Sequence, residues 1–328
     1  MRLWEPHEID ASAIAGETIA MIGYGNHGRS HALNLRDAGF AVRVGLHAAA
    51  RARATAEADG FTVLTAAEAA AEAGIVMLAA PDERHGAIWD ESLAAAMAPG
   101  AALLLCSGYA LHYGALRPRP DIDVALASPK GPGRLVREAW FGRAAVIGVA
   151  GAHQDATGRA LPRALAYLAA IRCAARGVLE TTIRDEVEVD LFGEQTVLCG
   201  GLVALMQAAF ETMVEAGYPP ELAYIDCIQE VKLVADLVAE RGIAGMYAAV
   251  SPTARFEGEQ VGPAVIGPEA REAMQAALAR IRNGSFAQAF AAAAESPAAG
   301  TGPAPAAPAD GDACEAAGRR VRLLTQPR

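Results

Sequence analysis

Short apolar runs alternate with longer mixed segments in the first half of the chain. The apolar runs have the length of strands: TIAMIG (18–23), AVRVGL (41–46), GIVMLAAP (74–81), AALLLCSG (101–108), IDVALASP (122–129) and AAVIGVAG (144–151). Runs this short and this apolar are typical of strands buried on both faces of a sheet. Helical patterns such as SHALNLRDAG separate them. The alternation predicts a doubly wound α/β domain over residues 1–182.

The strand pattern disappears from about residue 183 onward. Apolar periodicity predicts helices over 187–215, 220–241 and roughly 268–294, and Ser251-Pro252 marks a helix end. We therefore expect an all-helical domain over residues 183–295. Residues 296–328 are rich in Pro, Gly and Ala and predict a flexible tail, within which EAAGRRVRLL is either a last docked turn or a basic end.

A glycine-rich turn, GYGNHG, follows the first predicted strand directly. Gly23, Gly25 and Gly28 fit the GxGxxG spacing, with Tyr24 inside it, and the order strand, turn, helix, strand is the context that a dinucleotide fingerprint requires. The glycines would let the backbone approach a pyrophosphate resting on the helix N-terminus. The alternative is a glycine turn that only packs a helix against a strand.

The second predicted strand ends without an acidic residue. Proteins that bind NAD usually place Asp or Glu there to bind the ribose hydroxyls. Here the loop GLHAAARARATAEADG offers His47, Arg51 and Arg53, which suit a 2′-phosphate. The loop therefore predicts NADPH as cofactor, unless both arginines are solvent-facing helix residues.

Ligands of doubly wound sheets bind beyond the carboxyl ends of the strands. Those ends carry Pro81-Asp82, Ser107-Gly108 and Pro129-Lys130-Gly131-Pro132-Gly133. We predict that Pro81, Asp82 and Gly133 contribute to the cofactor site and that Lys130 faces the cofactor. The alternative is that Lys130 is merely exposed in a Pro/Gly loop.

Two pairs of carboxylates have helical spacing in the second half. Asp190 and Glu194 lie four apart, and so do Asp226 and Glu230. The apolar stretch TVLCGGLVALMQAAF that follows the first pair predicts a buried helix. Buried paired carboxylates need a cation or a shared proton, and Mg²⁺ prefers a few carboxylates with substrate oxygens and water. The alternative is that all four are ordinary surface acids.

Composition limits which classes of binding partner and which cellular compartment we expect for this protein. The net charge is −10, from 28 Lys+Arg and 38 Asp+Glu, which argues against nucleic acid or an anionic membrane. The five cysteines have no CxxC or CxxH spacing, which indicates reduced thiols. The N-terminus shows no apolar signal region, and we see no run of about eighteen apolar residues. We therefore expect a cytoplasmic protein.

Four longer stretches together are similar to a known family. They are IGYGNHGRSHALNLRDAG, SPKGPGRLVREAWFG, TTIRDEVEVDLFGEQTVLCGG and VKLVADLVAERGIAGMYAAVSPTARFEG. These resemble ketol-acid reductoisomerases (acetohydroxy acid isomeroreductases) of the shorter class, from about residue 3 to about residue 290. The resemblance implies a Rossmann-like domain, then a knotted all-α domain that interlocks in a homodimer with shared active sites.

The resemblance also implies a reaction. The family converts 2-acetolactate or 2-aceto-2-hydroxybutyrate to 2,3-dihydroxy acids in valine and isoleucine biosynthesis, by an alkyl shift that Mg²⁺ promotes and a reduction by NADPH. It implies that Asp190 bridges two Mg²⁺ ions, that Glu194 binds one, and that the positions of Asp226, Glu230 and the substrate-binding Ser251 come from the partner chain. Lys130 stands where the family has a lysine near the metals.

Several positions depart from the family pattern. Ser107 replaces the usual histidine, and serine cannot supply a group that titrates near neutral pH. Asp226 replaces a glutamate, and His47 stands where the family usually has arginine. We consider three hypotheses: a working ketol-acid reductoisomerase, an NADPH-dependent reductase acting on another ketone or imine in a specialised pathway, and a catalytically silent binding protein. The candidate catalytic residues are Lys130, Glu194, Glu230 and Ser107.

Overall fold

A computed structural model describes residues 1–294 and 312–325 of the chain. The chain divides into two compact units, Met1–Val187 and Glu188–Arg328. The first unit is an α/β sheet domain and the second is helical, so the predicted fold class is confirmed.

A single sheet of nine strands forms the first unit, in the order β1-β9-β8-β7-β6-β5-β2-β3-β4. The strands are β1 Leu3–Trp4, β2 Thr18–Ile22, β3 Ala41–Gly45, β4 Thr62–Leu64, β5 Ile75–Leu78, β6 Ala102–Leu105, β7 Asp123–Lys130, β8 Ile147–Gln154 and β9 Val178–Glu180. Strands β8 and β1 each run antiparallel to a neighbour, β7 and β9 respectively, and the other pairings are parallel. All six predicted strands are present. The three that we did not predict have two or three residues, too few to show a period.

Successive residues of the central strands enter two separate cores, one on each face of the sheet. Along β2, Ile19 and Met21 pack into one core, and Ala20 and Ile22 pack into the other. The central strands are therefore buried on both faces, as their continuous apolar sequences predict.

Eight α-helices and several short 3₁₀- and π-helical turns cover this sheet. The helices are α1 Asn26–Asp37, α2 Arg53–Ala58, α3 Ala66–Ala71, α4 His85–Ile88, α5 Ala94–Ala96, α6 Tyr109–His112, α7 Gly133–Trp140 and α8 Ala160–Ala170. The core on the Ile19 face contains residues of α1, α7 and α8, and the core on the Ile22 face contains residues of α3.

Helix α9 (Ile183–Gly193) begins in the first unit and continues into the second. It is followed by α10 Gly201–Glu215, α11 Pro220–Tyr224, α12 Val231–Ala249, α13 Pro252–Val265, α14 Pro268–Arg282, α15 Ser285–Ala294 and α16 Ala313–Thr325. The break predicted after residue 241 is a kink inside α12, at Gly242 with a φ of +70°. Helix α13 was not predicted, and Asn283-Gly284 divide the segment that we expected to be one helix into α14 and α15.

The C-terminal segment differs from the flexible tail that we expected. Residues 295–311 and 326–328 lie outside the described residues. Between these two stretches, α16 packs on α11: a Cβ added to Gly318 would lie 2.6 Å from the Tyr224 ring, and Arg322 donates a hydrogen bond of 3.0 Å to the Tyr224 hydroxyl. Arg320 forms an ion pair with Glu221. EAAGRRVRLL is thus part of a docked helix.

The apolar stretch after Glu194 is not buried within one chain, contrary to our prediction. Val197, Leu198, Val203 and Leu205 are exposed, and among its large side chains Phe210, at its end, is buried. By length and composition alone, the helical run Ile183–Glu215 is also sufficient to cross a membrane, which is a weak indication by itself. The sequence pattern correctly identified an apolar surface, but that surface faces outward in the isolated chain.

Candidate active site

The turn between β2 and α1 has the backbone of a dinucleotide fingerprint. Gly23 has a φ of +100°, and a Cβ there would lie 2.7 Å from the Ala79 carbonyl oxygen. A Cβ on Gly28 would lie 2.3 Å from the Gly23 carbonyl oxygen. At Gly25, by contrast, a Cβ would meet no described atom within 4 Å, and no described side chain caps α1. The first amides of α1 are therefore suited to receive a phosphate group.

The side chain of Tyr24 holds this turn in place. Its hydroxyl donates a 2.8 Å hydrogen bond to Asp59, which also accepts two hydrogen bonds from Arg29, at 2.7 and 3.0 Å. Burial and the neighbouring Asp59 carboxylate raise the pKa of the Tyr24 hydroxyl. This side chain is therefore engaged within the protein, and a cofactor contact of Tyr24 stays a prediction.

Close packing between the starts of two helices requires a glycine at position 133. Gly133 is the first residue of α7, and a Cβ there would lie 2.2 Å from the carbonyl oxygen of Asn26, the first residue of α1. The starts of the two helices therefore touch. The KGPG sequence places the beginning of α7 directly beside the glycine-rich turn.

The carboxyl ends of β2, β3, β5, β6 and β7 lie at one edge of the sheet, because these strands are parallel. Pro81 and Asp82 follow β5 at this edge, and Lys130 ends β7. Ser107 follows β6, and its hydroxyl accepts a 3.3 Å hydrogen bond from the Tyr109 amide. The structure thus brings these predicted residues to the edge where the glycine-rich turn lies.

Lys130 is part of a charge pair rather than an exposed loop residue. Its ammonium donates a 2.7 Å hydrogen bond to the Glu186 carboxylate, whose side chain is only 4% exposed. Glu186 was missed at the sequence level. It lies four residues before Asp190 on α9, as Asp190 lies four before Glu194, so the same helical spacing that selected the later pair could have found it.

The loop after β3 keeps the charge pattern that the sequence suggested. His47 and Arg51 are exposed in it, and no carboxylate lies between β3 and α2. Arg53 is the first residue of α2, and its guanidinium lies 3.6 Å from the Glu57 carboxylate. Arg53 is thus a helix residue with a carboxylate neighbour, whereas Arg51 precedes the helix.

The four predicted metal ligands lie at two similar irregularities in the helical unit. Glu194 begins a π-helical turn, Glu194–Leu198, just after Asp190 on α9. Asp226 lies in a second π-helical turn, Ile225–Gln229, and Glu230 follows it. Such turns are frequent at functional sites. All four carboxylates are exposed, so the burial that we predicted for them is wrong for a single chain.

These carboxylates do not gather into a cluster of three within the described part of one chain, where the ligand atoms would have to lie within 4.8 Å of one another. Ser251 is the N-cap of α13, and its hydroxyl accepts a 3.2 Å hydrogen bond from the Ala254 amide. Helix capping is therefore sufficient to explain a serine at this position. Its contact with a substrate stays a prediction.

Comparison with known proteins identifies the family. Residues 13–177 match the model of the acetohydroxy acid isomeroreductase NADPH-binding domain, and residues 183–326 match that of the ketol-acid reductoisomerase C-terminal domain. The chain belongs to the ketol-acid reductoisomerase family. A solved NADH-preferring ketol-acid reductoisomerase from an uncultured archaeon is 34% identical, with a TM-score of 0.89 and 99% of each chain covered.

More distant structures share the fold alone. A semialdehyde dehydrogenase NAD-binding protein from Cupriavidus necator is 21% identical, with a TM-score of 0.63 and coverage of 81% of this chain and 99% of its own. A pyrroline-5-carboxylate reductase from Coxiella burnetii is 18% identical, with a TM-score of 0.59 and coverage of 83% and 98%. Membership of the ketol-acid reductoisomerase family makes this chain a nicotinamide-dependent oxidoreductase acting on a small molecule.

Proposed function

We propose that this family member carries out both steps of the family reaction on 2-acetolactate or 2-aceto-2-hydroxybutyrate, in the cytoplasm, as part of valine and isoleucine biosynthesis. The pair of Lys130 and Glu186 carries the proposal. A largely buried ion pair is costly to desolvate, so it contributes little to stability for its own sake. At the ligand-binding edge it supplies a hydrogen-bond donor and a carboxylate suited to proton handling.

The proposed metal ligands are hard oxygen donors, which is the donor set that Mg²⁺ prefers. Asp190 and Glu194 of one chain, with Asp226 and Glu230 of a second copy, would hold two Mg²⁺ ions. Bound there, the ions would supply Lewis-acid polarisation of the substrate ketone. Ser251, at the N-terminus of a fourteen-residue helix, is suited to the substrate carboxylate.

A second candidate is an NADPH-dependent reductase acting on another ketone or imine. Ser107 favours it, because its hydroxyl accepts a backbone hydrogen bond and cannot titrate near neutral pH. Incubation with Mg²⁺, each nicotinamide cofactor and either 2-acetolactate or a panel of other ketones and imines separates the two candidates. A dihydroxy acid product supports the first, and cofactor consumption only with other ketones or imines supports the second.

We predict a preference for NADPH over NADH. Replacing Arg51 and Arg53 with alanine should lower kcat/KM for NADPH by at least about tenfold, because charge-assisted hydrogen bonds to the 2′-phosphate are lost. The value for NADH should change little. Arg43→Ala is a matched control, since Arg43 bonds Glu72 outside this loop. A wild-type preference for NADH, as in the archaeal relative, would refute the prediction.

We predict an obligate homodimer with shared active sites. The exposed apolar side chains of the helical unit need cover, and a second copy presents the same surface. Sedimentation should therefore show a dimer or a larger assembly. A stable, active monomer would contradict the shared site.

Mixing inactive variants tests the sharing directly. In a refolded one-to-one mixture of Asp190→Asn and Glu230→Gln chains, half of the dimers are mixed and each has one intact site, so about a quarter of wild-type activity should return. The same mixture of Asp190→Asn with Glu194→Gln chains is the control, because those two ligands come from one chain and no intact site can form.

A further inference from the structure

Two histidines and a cysteine meet inside the sheet unit, apart from the carboxylates assigned to Mg²⁺. His27 and His31 lie four apart on α1 and so share one face of that helix. Cys106 follows the last residue of β6. One ligand atom of each residue lies within 4.8 Å of the others. The cluster joins the first turns of α1 to the end of a central strand.

Both histidines direct an unpaired nitrogen into buried space. Neither His27 Nδ1 nor His31 Nε2 has a hydrogen-bond partner within residues 1–294 and 312–325. His31 is completely buried, and burial lowers its pKa to about 3, with a smaller effect from His27. An unpaired buried nitrogen is costly unless something occupies it.

The other ring nitrogen of His31, Nδ1, has a hydrogen-bond partner that fixes the orientation of the ring. Its Nδ1 lies 3.0 Å from the hydroxyl of Tyr167, which is also completely buried. With the Nδ1 proton donated to Tyr167, the lone pair of Nε2 points into the cluster. A hydrogen bond of this kind on the far nitrogen is the usual support for a metal-binding histidine.

We propose that His27 Nδ1, His31 Nε2 and Cys106 Sγ form a site for a zinc-class divalent transition metal. Two imidazoles and a thiolate suit such ions, whereas Mg²⁺ prefers oxygen ligands. Metal binding replaces the thiol proton of Cys106, which is released to solvent. Three protein ligands leave a fourth position for water.

The separation of the two imidazole rings approaches that of a tetrahedral site. Bond lengths of about 2.0 Å to nitrogen and about 2.3 Å to sulfur place ligand atoms about 3.4 Å apart and two imidazole centres about 5 Å apart. The two ring centroids lie 5.7 Å apart, with the rings nearly perpendicular at 89°. His27 and Cys106 are only half-buried, whereas His31 is completely buried, so an ion would enter past the first two.

Measuring metal binding to the full-length chain tests the site without an activity assay. We expect one equivalent of Zn²⁺ per chain after equilibrium dialysis with excess Mg²⁺, and a higher melting temperature with Zn²⁺. Co²⁺ in its place should give the ultraviolet charge-transfer band of a cobalt thiolate. Cys106→Ser should abolish that band and weaken Zn²⁺ binding by more than about a hundredfold, whereas Tyr167→Phe should weaken binding about ten- to a hundredfold and keep the band.

Cys199→Ser is the matched control, since it removes an exposed thiol of the helical unit and should leave the band unchanged. If Cys106→Ser does not fold, as judged by circular dichroism, His27→Gln at the more exposed ligand takes its place and should weaken Zn²⁺ binding to a similar degree. Zn²⁺ bound equally well by wild type and the folded ligand variant, or no stoichiometric binding by wild type, would overturn the proposal.

Discussion

Replacing Lys130 with methionine is expected to lower both stability and activity strongly. The Glu186 carboxylate, 4% exposed, would lose a charged partner at 2.7 Å. Breaking a buried pair from one side costs about 3 kcal/mol or more, because the remaining charge stays desolvated. If Lys130 also takes part in proton handling, kcat/KM should fall by at least about a hundredfold. All three tryptophans, Trp4, Trp89 and Trp140, lie in the sheet unit, so their fluorescence during urea unfolding reports its stability.

A double variant separates the structural effect from the catalytic one. Lys130→Met combined with Glu186→Leu removes both charges, so most of the lost stability should return. Activity should not return. Arg43→Met is the control, because it breaks an exposed pair with Glu72 in the same sheet unit and should cost less than about 1 kcal/mol. Recovery of activity in the double variant would show that the pair is only structural.

The sheet was predictable because its signals are local. A buried strand such as Ile75–Leu78 is apolar at every position, and the turn at Gly23 needs a positive φ that glycine adopts without strain. Strands of two or three residues carry no such signal. Strand β1 forms because it pairs with β9, whose residues are distant in sequence.

The candidate site was predictable only in part, because several of its features depend on tertiary contacts. The helical spacing of Asp190 and Glu194 can be read from the sequence, but their exposure in a single chain cannot. No sequence period links Lys130 to Glu186, or His31 to Cys106, since each pair joins distant elements. From the sequence alone, Gly133 cannot be told from an ordinary loop glycine. Only the structure shows that the carbonyl oxygen of Asn26 leaves no room for a side chain there.

The last prediction concerns Ser107 and Asp226, which replace a histidine and a glutamate of the family pattern. Alkyl migration depends on both metals and on proton handling at the substrate hydroxyl, whereas reduction needs mainly a polarised ketone and a well-placed nicotinamide. The Ser107 hydroxyl accepts a hydrogen bond from the Tyr109 amide and has no pKa near neutrality. Asp226 reaches one methylene less far from its π-helical turn. Both changes should slow migration more than reduction.

We therefore expect the enzyme to reduce 3-hydroxy-3-methyl-2-oxobutanoate, the rearranged intermediate, about a hundredfold faster than it converts 2-acetolactate, since a misplacement of about 1 Å can cost that factor. NADPH absorbance at saturating Mg²⁺ follows both reactions. Ser107→His with Asp226→Glu should raise 2-acetolactate turnover selectively. Ser107→Ala is the control and should leave the ratio unchanged, because serine contributes no titrating group. Equal wild-type rates on the two substrates would mean that other residues compensate for both substitutions, because the migration step would then no longer limit turnover.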